Sequence, residues 1–176
     1  MLLAALCALA AQGVAPDWDI RVVLQEVAAH AERLLPEVEG LKVKSWIERG
    51  ASETYLTQVE TLRDQVRSVA QQSKDLAARP EKLSAAIEVY FRLAAVDSLV
   101  RSLGDGVRRY EGDEAAGRLT AVARENNPNR ERFQQYILEM AVQREQEYAA
   151  MDHEAQRCRG SLARQPAETK SPGTKK

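Results

Sequence analysis

Apolar residues recur along most of this chain at intervals of three and four, the period of an amphipathic helix. The first such run covers about Asp17 to Leu35. Its stripe is Ile20, Val23, Leu24, Val27, Ala31 and Leu34, and Asp17 and Asp19 suit its N-terminus. Pro36 is expected to interrupt it, and a linker with Gly40 and Gly50 follows, in which Trp46 and Ile47 form a short helical turn plugging one end of the core. A second helix is expected from Ser52 to about Ala78. Its seam of Tyr55, Val59, Leu62, Val66, Val69, Ser73 and Leu76 has heptad spacing with one polar exception.

Pro80 opens the third helix after almost no linker, which implies an antiparallel hairpin. Leu83, Ala86, Ile87, Tyr90, Leu93, Ala94, Val100 and Leu103 form its apolar face; Gly104-Asp105-Gly106 weakens it and Glu111-Gly112-Asp113 ends it. A short helix follows from about Asp113 to Arg124. After the break at Asn126-Asn127-Pro128-Asn129, a long helix runs from Arg130 to about Ala163. Its seam is Ile137, Ala141, Arg144, Tyr148, Met151, Ala155, Cys158 and Leu162, which predicts that Cys158 is buried. No strand-like alternation is visible. The expected fold is all-α, an antiparallel bundle of four to five long helices with short connections.

The two ends break this pattern. Residues 2–11 of MLLAALCALAAQGVAP are apolar, too short to span a bilayer and suited to the core of a secretory signal peptide. Ala8-Leu9-Ala10 offers a small-x-small cleavage site, although no Lys or Arg precedes the run. The expected organisation is a signal peptide over 1–15, a helical bundle over 16–163, and a disordered tail over 164–176. Cleavage would place the mature chain outside the cytoplasm, periplasmic or secreted, with Cys158 its one cysteine and no transmembrane segment. Composition agrees with helix, at 29% charged and 5% aromatic residues. The net charge of −1 offers no basic field for a phosphate backbone, so nucleic acid is not an expected partner.

Candidate chemistry is sparse. MDHEAQRCRG, residues 151–160, begins like a zinc-protease motif. Arg157 stands where the second histidine would be, and His153 and Cys158 are about 140° apart around the helix. His30 flanks the first stripe; a haem held by the two histidines or a di-iron site lacks the required spacing, so neither metal nor cofactor is expected. Asp97 continues the stripe of the third helix and is expected to be half-buried, paired with Arg144 or Arg101 so as to fix register. Arg108, Arg109, Arg124, Arg130 and Arg132 gather near helix joins, where solvated cations are ordinary.

Two functional classes follow. The first is an exported, non-enzymatic bundle working through protein contacts, as an envelope adaptor or holdase, whose coiled-coil seams also allow a homodimer. The alternative is a bundle that binds a small molecule or cofactor in its interior, lined by Asp97, Tyr90, Arg144 and Tyr148. An enzyme ranks below both, because no convergent catalytic set is present.

Overall fold

In the computed structural model, residues 18–163 are described. They form six helices: α1 (Ile20–Glu39), α2 (Val43–Glu48), α3 (Thr54–Ala78), α4 (Leu83–Glu111), α5 (Asp113–Arg124) and α6 (Asn127–Ala163). The expected signal peptide and tail lie outside the described residues. Among the described residues there is no strand, and the protein is a helical bundle. No described helix is long and apolar enough to cross a membrane.

The core is formed chiefly by the stripes of α1, α3 and α4. Val23, Leu24, Val27, Leu34 and Val38 of α1 face Val59, Leu62, Val66 and Val69 of α3 and Leu93, Val96, Val100 and Leu103 of α4. Asp19 caps α1 by accepting a hydrogen bond from the Arg21 amide at 2.8 Å. Pro36 does not end α1. It sits in the last turns, where the helix continues to Glu39, buries Val38 completely and closes with a bond from the Gly40 amide to the Pro36 carbonyl. Burial of an apolar side chain of that size contributes about 1.5–3 kcal/mol, enough to offset the hydrogen bond that proline cannot make.

The expected Trp46 plug is present. α2 buries Trp46 fully at the end of the bundle where α4 finishes. Its indole stacks on Tyr110 with ring centroids 5.7 Å apart and meets Tyr55 edge-on at 5.6 Å. Glu111 Oε1 accepts from Trp46 Nε1 at 2.8 Å and from the Lys42 amide at 2.7 Å, so one carboxylate fixes both the indole and the start of α2. The Gly104-Asp105-Gly106 stretch is helical, and Gly106 makes room for this cluster: a Cβ there would lie 2.8 Å from Tyr55 Cε1.

Candidate functional site

Two regions hold the residues singled out in the sequence. The first is a polar belt at mid-bundle, where α5 hands the chain to α6. His30 is buried, and its Nε2 donates to the Val122 carbonyl at 2.7 Å, which also accepts from the Glu125 amide at 3.2 Å in the last turn of α5. Asp97 is half-buried on α4 and forms an ion pair with Arg130 in the first turns of α6. Asn126 is buried beside them. The expected pairing of Asp97 with Arg144 or Arg101 is therefore corrected: α6 starts next to the middle of α4, so its first turns, not its middle, reach Asp97.

This ion pair ties α6 to α4, and its worth is measurable. A double-mutant cycle with Asp97→Asn and Arg130→Gln is expected to give a coupling of about 1 kcal/mol in chemical unfolding, a value set by partial solvent exposure.

Beyond the belt, Phe133, Tyr136, Ile137 and Met140 carry α6 along α1 and α4. Phe133 is fully buried and meets the half-buried Tyr90 at 6.4 Å between centroids. Tyr136 Oη donates to the Pro80 carbonyl at 3.0 Å, so α6 reaches the α3–α4 turn there. Burial, helped by the negative charge of Glu81, raises the Tyr136 phenol above its ordinary value of 10.0, while Arg21 and Arg144 act in the opposite sense.

A raised phenol makes stability depend on pH in the alkaline range. Folded protein holds this proton more tightly than unfolded protein. The stabilisation is complete below pH 10.0 and falls as pH rises from there through the raised folded value. Urea unfolding of the protein and of Tyr136→Phe between about pH 8 and pH 11 is expected to show the parent losing its advantage over the variant above pH 10.

The second region is the rest of α6. From Val142 to Ser161 its residues are exposed, apart from a half-buried Glu147. The seam expected to bury Arg144, Tyr148, Met151, Ala155 and Cys158 is corrected: all five are exposed. The face is continuous with the packed one. Met151 follows Phe133, and Cys158 follows Met140, by 18 residues, five turns of helix, so each pair shares an azimuth. The α3–α4 turn meets α6 at Tyr136, and the apolar stripe of α6 runs on past it. This projecting arm, residues 142–163, is about 33 Å long. His153 lies about 140° from Cys158 around it, and no group of three or more His, Cys, Asp or Glu suited to a metal occurs among the described residues.

The four residues expected to line an interior site are not brought together. Asp97 is held by Arg130, Tyr90 packs on Phe133, Arg144 pairs with Glu147 at 2.8 Å, and Tyr148 is on the arm. The void that Asp97 lines with His30, Leu34, Val66 and Asn126 measures about 10 Å³. That is room for about one water, far below the roughly 300 Å³ of a small-molecule pocket. No protein-family model matches the chain, and comparison with curated proteins and with solved structures finds no match.

Proposed function

We propose that this protein is an exported, non-enzymatic helical bundle that acts through protein contacts, in the manner of an envelope adaptor or holdase. The carrying observation is the arm of α6. It leaves the bundle after Ala141 and presents Tyr148 at 68% and Met151 at 57% exposure on one face. Large apolar side chains grouped on one projecting helix mark a surface that binds another protein. Methionine and tyrosine suit it, the first because it adapts to varied partners and the second because it is rigid and amphipathic. Export rests on the apolar segment of residues 2–11 and its small-x-small site.

The test is a client assay. Full-length protein is expected to suppress light scattering by reduced insulin, and Tyr148→Ser with Met151→Ser is expected to lose most of that effect without losing helicity. A second readout places a photo-crosslinking amino acid at position 148 in cells, with position 61 on the exposed side of α3 as control. Discrete protein adducts from 148 and none from 61 would support the contact reading. Equal suppression by parent and variant, together with no adduct from 148, would defeat it.

A further inference from the structure

We infer that two copies of this chain pair antiparallel through their α6 arms, with each arm lying along the other from the edge of one bundle to the edge of its partner. The inference deepens the contact reading above and rests on its claim that the arm is a binding surface. Three observations on the arm converge on one arrangement.

The first is charge. Arg144, Glu145 and Glu147 lie in the part of the arm nearest the bundle, Asp152 and Glu154 at its centre, and Arg157 and Arg159 in the part nearest its tip. A parallel, in-register pair sets acid against acid, base against base, and Arg144 against Arg144 in the seam. An antiparallel pair lays Glu145 and Glu147 of each arm beside the part of the other that carries Arg157 and Arg159, and leaves acid against acid only at the centre.

The second is length. Residues 142–163 are free of the bundle, so full antiparallel overlap of two arms centres the contact near residue 153. In that register Tyr148 stands across from Cys158 of the second copy and Met151 across from Ala155, which are the knob positions of the 3-4-3 spacing.

The third is the flanking ion pairs. The same register brings Glu145 beside Arg159 of the second copy, and Arg159 beside its Glu145, along one edge of the seam. Asp152 and Glu154 each meet their own counterpart near the centre, on the two edges of the seam, which limits the pairing to moderate strength. The bundles then sit at opposite ends and do not compete for space, whereas a parallel pair would press them together. Cys158 and its counterpart end up about 15 Å apart along the axis, so the pair forms without a disulfide.

The experiment uses the full chain with Cys158→Ser. One preparation carries Met151→Cys and another Ala155→Cys. Each alone, and the two mixed, are oxidised and run on a non-reducing gel, and the parent chain is followed by sedimentation over a range of concentrations. The expected result is a mass that doubles with concentration and a covalent dimer several-fold stronger in the mixture than in either preparation alone. Tyr148→Glu with Met151→Glu is expected to return the chain to monomer with its helicity intact. Dimer bands in the single-cysteine preparations as strong as that of the mixture would mean a parallel pair and overturn the inference. So would a monomer at every concentration. A monomer whose position 148 still crosslinks to other proteins would overturn the inference and leave the contact reading standing.

Discussion

Trp46→Ala is expected to cost about 3–5 kcal/mol of unfolding free energy. The indole is fully buried, and three effects act in the same direction. Its removal leaves a void between Tyr55 and Tyr110 that neither ring can fill without leaving the other. Glu111 loses one of its two donors. The short helix α2, only Val43–Glu48, loses its main anchor, since six residues do not hold a helix in water without tertiary support. Denaturant unfolding followed by far-ultraviolet circular dichroism measures the loss directly. Trp46→Phe is expected to recover about half of it, because the ring stacking returns and the bond to Glu111 does not.

The second large effect is at Phe133. Phe133→Ala is expected to cost about 3–5 kcal/mol and to loosen α6 selectively. Phe133 is the largest fully buried side chain on α6, seated between the ion pair of Asp97 and Arg130 on one side and Tyr136 and Met140 on the other. Hydrogen exchange is the measurement that separates a local from a global effect. In the variant, amides of residues 130–140 are expected to lose protection before those of α1, α3 and α4, because α6 docks on a core the other helices largely complete among themselves. Uniform loss of protection across all helices would mean that α6 is part of one cooperative unit with them.

Much of the fold was legible because periodicity and punctuation agreed. The expected bounds of α5, Asp113 to Arg124, are those observed, set by Gly112 and by the turn at Glu125-Asn126; the break expected to last to Asn129 is shorter, and α6 starts at Asn127 rather than Arg130. The Trp46 plug was readable because a lone tryptophan inside a glycine-bounded linker has to be covered by something. Pro36 misled because proline near a helix end removes one bond but does not prevent burial of the next apolar position, Val38.

The candidate site was less legible, and α6 shows why. A 4-3 spacing says which face of a helix is apolar. It does not say whether another helix lies opposite. Ile137 and Met151 sit on the same stripe, yet one packs on the bundle and the other faces solvent, because α6 outruns its neighbours. The partner of Asp97 was missed for a related reason: spacing along α4 and α6 fixes each stripe but not their relative slide, and that slide selects Arg130. His30 sits beside the apolar stripe in sequence. Nothing local announces a bond to a carbonyl 92 residues away.

The central claim is that the fold is complete by about Ala141 and that the rest of α6 is held out for contact. Chemical unfolding of the chain ending at Ala141, beside the full chain and at concentrations dilute enough to keep both monomeric, tests it most directly. Equal unfolding free energies, within about 0.5 kcal/mol, are the expected result. A loss of several kcal/mol on truncation would show that residues 142–163 are part of the folded core and would contradict the account.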